Sequence, residues 1–522
     1  MTRLTRISAE NLCQLLEQRE RARPEKEFLF SEADGRRFTY ARFDCAVNRA
    51  AFMLLSHGVT KGDVVSLLLA NSVEYIVAYF ACWKIGALAG PVNSLLKAQE
   101  MAYVISNSEA KALLVHQEFL PAVNGIKADL PALRAIIPFE NEAEATKGFD
   151  DDDDELPASQ IDTDDEAIII YTSGTTGKPK GCLLTHGNLI ANARQISQWL
   201  GFTEQDRLLT VMPMFHMNAV SVTTMSALYA GASTVVSAKF SASRFWETIS
   251  EYQVTSFGSV ATMLSMLLSR FPNGVPVGLK TDQLRFAMCG SAPVPTEVIK
   301  RFEETFHCLV IEGYGLSEST CRSTFNPPDE RRRPGSCGLP IGNEMMVMDD
   351  QDMEVPDGIF GEIVMRGENI LKGYYKDPEA TSTAFRNGWF HTGDIGYRNG
   401  DGFFYIVDRK SDMIIRGGEN IYPREIDEVL YQHTAVSAAA TIGIPNSLYG
   451  EEVAAFVVLK EGASASPEEL IAFCRERLAD YKCPKTIRVL NEIPKGPTGK
   501  LLKRELAREF EDESADYADY ED

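Results

Sequence analysis

The run Tyr171-Thr-Ser-Gly-Thr-Thr-Gly-Lys-Pro-Lys-Gly181 constrains this chain more than any other stretch. Gly174, Gly177 and Gly181 allow tight turns and close approach of backbone to a ligand. The hydroxyls of Thr172, Ser173, Thr175 and Thr176 and the ammonium groups of Lys178 and Lys180 can donate to phosphate oxygens. An apolar, β-like run, Ala167-Ile-Ile-Ile170, precedes it, and a helical-looking stretch from His186 to Arg194 follows. This is the chemistry of a triphosphate cradle. It is not a Walker A loop, because only two residues separate Gly174 from the Gly177-Lys178 pair where that motif requires four.

Further along, other turns carry chemistry. Tyr314-Gly-Leu-Ser-Glu318 follows the strand-like Cys308-Leu-Val-Ile311; Gly315 lets the backbone lie flat, Tyr314 offers a stacking face, and Glu318 is an oxygen ligand suited to a hard cation. Gly290-Ser-Ala-Pro293 follows Leu284-Arg-Phe-Ala-Met288 as a strand-to-helix turn. Phe390-His-Thr-Gly-Asp394 places a carboxylate after a tight turn, which suits ribose hydroxyls. Pro494-Lys-Gly-Pro-Thr-Gly-Lys500 presents a lysine on a Gly-containing loop, able to balance charge that builds in a transition state.

These motifs, in this order and spacing, resemble the acyl-adenylate-forming superfamily of acyl-CoA synthetases, luciferases and peptide-synthetase adenylation domains, over about residues 10 to 508. The resemblance implies that the 172–180 loop, Gly290, Ser291, Ala292, Pro293, Tyr314, Gly315 and Ser317 bind the nucleotide. It assigns Thr175 and Glu318 to Mg²⁺, Asp394 and Arg409 to the ribose, and Lys500 to adenylation, with Lys495 as a weaker candidate. By itself His216, after Val211-Met-Pro-Met, reads as a packing residue, and the resemblance implies instead a substrate-side residue that gates the acyl pocket, not a general base. Ser317 stands where threonine is usual, and Ser411 where the hinge residue is commonly Asp or Lys.

Members of this superfamily differ in the second step. Arg416, Gly417, Gly418 and Glu419 resemble the loop that lines the pantetheine tunnel of CoA ligases, which implies ATP, Mg²⁺ and CoA as cofactors and a small carboxylic acid as substrate. An enzyme loading an amine or a carrier protein is the alternative, disfavoured in its multidomain form by the lack of a carrier domain after Lys500; a non-catalytic nucleotide binder is the remote one. The stretches Phe245-Trp246, Arg331-Arg-Arg-Pro-Gly335 and Phe403 to Arg409 look most like the branch of crotonobetaine/carnitine–CoA ligases, near the medium-chain acyl-CoA synthetases. Segments 214–220, 257–263, 289–293 and 312–320 are expected to face the acyl group, and their Met, Phe, Val, Ala and Ser suggest an apolar acid of moderate size.

Length and composition bound the rest. A chain of 522 residues exceeds what one hydrophobic core usually holds. Apolar runs such as Val64 to Leu69 alternate with helical patterns, so the expected class is α/β: a large multi-layer N-terminal domain of two α/β subdomains plus a small β-barrel-like subdomain, and a small mobile α+β C-terminal domain. The boundaries are placed at 1–409 and 410–510, with an acidic, disordered tail at 511–522. The run Asp150 to Glu155 reads as a solvated loop, not a metal site. A net charge of −22 argues against nucleic acid or an anionic membrane as partner. Ten cysteines without metal-ligand spacing, no apolar leader and no membrane span point to a cytoplasmic protein. A homodimer is the assembly carried forward.

Overall fold

The computed structural model describes residues 9–149, 156, 160–172, 178–291, 294–410, 412–446, 448–494, 502–503 and 505–507. Two large sheets and two small ones are built from them. A seven-stranded sheet has the parallel strands Val64–Leu68, Leu88–Pro91, Ala112–Val115, Ala135–Pro138 and Glu166–Thr172, with Lys180–Thr185 and Gly373–Tyr374 added antiparallel at one side. A nine-stranded sheet has six parallel neighbours at its centre, among them Phe286–Cys289 and Leu309–Tyr314. Their short, fully apolar runs are what a strand covered on both faces requires.

The helix Val73–Lys84 packs against both large sheets. Every residue in it except Lys84 is buried, as expected of a helix that is apolar all round. Its few polar atoms find partners: Trp83 Nε1 donates to Ala167 C=O at 2.9 Å, Tyr79 Oη to Met214 C=O at 2.9 Å and Tyr75 Oη to Leu67 C=O at 3.1 Å. These bonds tie the strand before the phosphate loop to the segment before His216.

The phosphate loop turns out to be the connection of a β-hairpin. Glu166–Thr172 pairs antiparallel with Lys180–Thr185, closing at Thr172 opposite Lys180. The sequence pattern leads from the loop straight toward a helix, and the structure inserts this return strand. The helix His186–Trp199 then begins with a capping box: Asn188 N–H donates to Thr185 Oγ1 at 3.1 Å and Thr185 N–H to Asn188 Oδ1 at 2.9 Å.

The expected β-rich subdomain is an antiparallel sheet of Glu344–Met348, Gly361–Arg366, Phe385–Arg386, Trp389–Arg398 and Phe404–Arg409. A small C-terminal domain follows with its own sheet, two helices (Pro423–Tyr431 and Pro467–Arg475) and its own core of Ile414, Ile426, Leu430, Val453, Val457 and Leu470. It is joined to the large domain through Arg424, whose N–H donates to Asp408 Oδ2 at 3.0 Å and whose guanidinium reaches Ile406 C=O. Among the described residues no helix is long and apolar enough to cross a membrane, and all ten cysteines are free thiols.

Candidate active site

Parallel strands end together, and their carboxyl ends are where α/β sheets bind ligands. Cys289 lies opposite Glu312 in the central pair, so Gly290-Ser291 and Gly313-Tyr314-Gly315 emerge side by side. They wall a cleft of about 170 Å³ that is also lined by Asp394, Ile406, Arg409 and Arg424. The glycines are required by space. A Cβ on Gly290 would come within 2.6 Å of Gly313 C=O, and one on Gly313 within 2.5 Å of the Phe325 ring. Ser291 takes the left-handed φ of +70° without being glycine, and Asn218 Nδ2 donates to its hydroxyl at 3.5 Å.

Tyr314, Asp394 and Arg409 form one network across this cleft. Tyr314 Oη donates to Asp394 Oδ2 at 2.5 Å, and Arg409 Nε stands 3.4 Å from Asp394 Oδ1. Asp394 is positioned by its own N–H, which donates to Thr392 Oγ1 at 3.0 Å, while Thr392 anchors on Ile363 C=O at 2.7 Å. Burial, then the Asp394 carboxylate beside it, pushes the Tyr314 phenol well above its ordinary range, so it stays a hydrogen-bond donor.

Glu318 sits in a single 3₁₀ turn, Ser317–Ser319, at the other end of the tyrosine loop. It is half-buried, and it accepts from Tyr374 Oη at 3.3 Å on Oε1. Tyr374 pairs with Cys182 on the return strand of the phosphate hairpin, so this contact joins Glu318 to that hairpin. Lys180 Nζ lies 5.4 Å from the centre of the Tyr374 ring, and Lys178 Nζ 5.7 Å from that of Tyr103. Thr172 Oγ1 lies 3.7 Å from the Cys182 thiol. A lone carboxylate tied through Tyr374 to the lysine-bearing hairpin suits a Mg²⁺ that arrives with nucleotide phosphates, since Mg²⁺ keeps its waters and takes one or two carboxylates. Among the described residues no cluster of three or more His, Cys, Asp or Glu could hold a metal by itself.

The segments expected to face the acyl group divide in two. Residues 289–291 and 312–316 line the cleft, whereas Phe215, Val260, Thr262 and Met263 line a larger cavity of about 500 Å³ with Leu69, Phe119 and Phe240. His216 lies beside Phe215 with ring centres 4.6 Å apart, and its Nε2 is buried without a partner among the described residues. Burial depresses its pKa to about 4, so the ring is neutral near pH 7. That fits a substrate-side role better than proton transfer.

The structure does not bring the small-domain loop to the cleft. Arg416 and Glu419 end the two strands of a hairpin, Gly417 and Gly418 turn it at φ of +60° and +91°, and none of the four lines the cleft. Arg416 is engaged by Glu452 at 2.6 and 2.9 Å and lies over the Tyr449 ring. Ser173 to Gly177, Ala292, Pro293, Ser411, Lys495 and Lys500 lie outside the described residues, as do the 150–155 run and the 511–522 tail.

Two cleft residues carry no motif of their own in the sequence, although Glu312 opens the 312–320 segment. Arg424 comes from the other domain, and only the tertiary fold places it there. Glu312, one residue before the glycine turn, is buried and accepts from Gly335 N–H at 2.9 Å. Burial raises its pKa to about 8 from an ordinary 4.5, the Gly335 bond opposing. The native state therefore holds this proton more tightly than the unfolded chain, and the stability it lends is full below about pH 4.5 and lost as pH rises through about 8. A Glu312→Gln variant, which cannot ionise, should gain on the wild type by about 4 kcal/mol between pH 5 and pH 9. Denaturant titrations at the two pH values check this; an unchanged difference would contradict it.

The chain has known counterparts. Residues 16–375 match the model of the AMP-binding enzyme family, and residues 425–500 that of the AMP-binding enzyme C-terminal domain. Sulfoacetate–CoA ligase of Cupriavidus necator is 36% identical, covering 92% of this chain and 94% of its own. Crotonobetaine/carnitine–CoA ligase of Citrobacter koseri is 34% identical, covering 92% and 95%. That relative agrees with the branch suggested by Phe245-Trp246 and Arg331 to Gly335, although it does not stand out from the others. The structure of o-succinylbenzoate CoA synthetase from Bacillus subtilis in complex with its acyl-adenylate intermediate superposes with a TM-score of 0.84 at 33% identity, covering 94% of this chain and 97% of that one. With both domains matched, and relatives aligned over nearly their whole length, the chain belongs to the AMP-binding enzyme family.

Proposed function

We propose that the protein is an AMP-forming acid–CoA ligase: it adenylates a carboxylic acid with ATP and passes the acyl group to the thiol of CoA. The observation that carries this is the run of contacts that links three elements, from the cleft through Glu318 and Tyr374 to the phosphate hairpin. The Tyr314–Asp394–Arg409 network suits a nucleoside, the hairpin with Lys178 and Lys180 suits its phosphates, and Glu318 lies between them.

In the first step a carboxylate oxygen of the acid attacks the α-phosphorus of ATP, the bond to the bridging oxygen breaks, and pyrophosphate leaves. Tyr314 and Gly290-Ser291 flank the base, Asp394 with Arg409 holds the ribose, and the lysines and loop hydroxyls balance the phosphates. Lys500 adds positive charge where the pentavalent phosphorus forms. Glu318, with Thr175, would hold a Mg²⁺ that neutralises the phosphate oxygens. In the second step the CoA sulfur, having lost its proton, attacks the acyl carbon and AMP departs. His216, being neutral, shapes the acyl side without carrying charge.

The division into domains at 1–409 and 410–510 with a tail from 511 belongs to this reading. The separate core of the small domain supports it, and the hinge is placed near 409–411, just after the last strand of the β-rich subdomain, where Lys410 N–H donates to Gly393 C=O at 2.8 Å. Rotation there would withdraw Lys500 and present the Gly417-Gly418 turn to CoA. A cytoplasmic location is supported by the ten free thiols, and a homodimer is the assembly to check by sedimentation.

Purified protein with ATP, Mg²⁺ and a panel of acids is expected to release pyrophosphate with at least one acid, and to make a CoA thioester of that acid at a comparable rate. Release that is indifferent to CoA but coupled to an amine or carrier protein would move the acceptor.

A further inference from the structure

Asp394 owes its aim to an irregularity in its strand. Where Gly361–Arg366 pairs with Trp389–Arg398, Glu362 lies opposite Ile395 and Val364 opposite His391, so Ile363 alone faces Thr392, Gly393 and Asp394. The longer strand therefore bulges by two residues. Bulges beside active sites re-aim a side chain, and they leave ladder groups without their usual partners. On its other side the same strand pairs Asp394 with Arg409. An unpaired buried peptide costs about as much as a lost hydrogen bond, so the partners of the bulge show what holds it.

Gly393, at φ of +73°, is held on both sides of its backbone. Its N–H donates to Glu362 Oε1 at 3.0 Å, and its C=O accepts from Lys410 N–H at 2.8 Å. A peptide N–H on a carboxylate is a charge-assisted bond, stronger than one between neutral groups. The Glu362 side chain is only 11% exposed, and its second oxygen stands 3.6 Å from Arg386 Nη2 and 3.3 Å from His391 Nδ1. Arg386 gathers the rest: Nη2 donates to the buried His391 Nδ1 at 2.7 Å, and Nε and Nη2 donate to Asp352 at 3.3 and 3.2 Å. Glu362, His391, Arg386 and Asp352 do not line the cleft. What joins this charged cluster to the Asp394 turn is the Gly393 N–H.

We propose that Glu362 is a positioning residue for the nucleotide: by accepting the Gly393 N–H it sets the bulge that points the Asp394 carboxylate at the ribose hydroxyls. This rests on the assignment of Asp394 to the ribose within the ligase reading, and it names what aims that carboxylate. Glu362 touches no part of the nucleotide and acts through a single peptide. Arg386 keeps the arm of Glu362 in place from behind.

The test is calorimetric titration of ATP, 2′-deoxy-ATP and 3′-deoxy-ATP into the wild type, Glu362→Met, Glu362→Asp and Glu362→Gln, with pyrophosphate release across the acid panel run alongside. The wild type should bind ATP about 30-fold more tightly than at least one deoxy analogue, the scale of one hydrogen bond to a charged group. Glu362→Met should lose most of that margin by weakening ATP, while the affinity for that analogue changes by less than about threefold. Glu362→Gln, which keeps an oxygen for the Gly393 N–H, should recover the margin to within about threefold. Glu362→Asp, one methylene short, should fall between and supplies the result if the Met variant does not fold. An equal loss for ATP and both analogues would overturn the proposal, as a purely structural carboxylate. A Met or Asp variant that keeps the full wild-type margin would overturn it too. A wild type that binds ATP no better than either analogue would take Asp394 away from the ribose, and the proposal with it. The expected margins without pyrophosphate release from any acid would remove the ligase reading and leave the role of Glu362 standing.

Discussion

Lys500→Ala is expected to lower acid-dependent pyrophosphate release by about three orders of magnitude, and to leave thioester formation from a supplied acyl-adenylate within about threefold of the wild type. The reasoning starts from the sequence around it, Pro494-Lys-Gly-Pro-Thr-Gly-Lys500, whose glycines let a lysine approach a ligand. The ends of that stretch are joined, Leu502 N–H donating to Pro494 C=O at 2.9 Å, and Ile493 and Leu506 are buried in the small domain's second cluster. Its base is therefore carried as a unit with the domain. A charge offered only while negative charge grows on the α-phosphorus is absent from thiol attack on the acyl carbon, so the two half-reactions separate. Measuring both on one preparation, with the fold checked by circular dichroism, decides the matter. Equal losses would refute the division of roles between the two domain positions.

Gly315→Ala should be the most damaging single methyl in the site, costing at least about 3 kcal/mol and abolishing ATP binding. The backbone after Glu318 doubles back so tightly that a Cβ at this position would stand 2.0 Å from Cys321 C=O and 2.8 Å from Arg322 Cα. These are backbone atoms and cannot swing aside. They are also held: Ser323 N–H donates to Tyr314 C=O at 2.8 Å, and Thr320 and Asn192 anchor the return. To admit the methyl group, the turn must open, which displaces Tyr314 and Glu318 together. Denaturant unfolding and nucleotide titration test the two halves of this expectation. A variant of wild-type stability that still binds ATP would show the turn to be looser than its geometry.

The Tyr314 and Asp394 motifs are legible in the sequence because each carries its chemistry in adjacent residues, and the strands before them announce themselves as apolar runs. The α/β class follows from the same alternation. What is not legible depends on pairings between distant residues. Tyr374 reaches Glu318 only because Gly373–Tyr374 pairs with Lys180–Thr185, far earlier in the chain, and two-residue strands leave no periodic trace. Arg424 reaches the cleft from a different domain. Glu312 reads as an ordinary polar end of a strand until Gly335 and the cleft wall bury it. Arg322 is the clearest case. A single arginine in a polar stretch reads as solvated, and it is buried here because Gly290 and Gly315 present no side chains where it must pass.

Activation of the acid as an acyl-adenylate is what the whole cleft is arranged for. Its most direct test uses the preferred acid labelled with ¹⁸O in the carboxylate, followed through a full turnover with ATP and CoA. Attack of that oxygen on the α-phosphorus predicts one ¹⁸O in the AMP released, with unlabelled pyrophosphate. Label found instead in inorganic phosphate, with ADP as the nucleotide product, would mean an acyl-phosphate route and would contradict adenylation at this cleft.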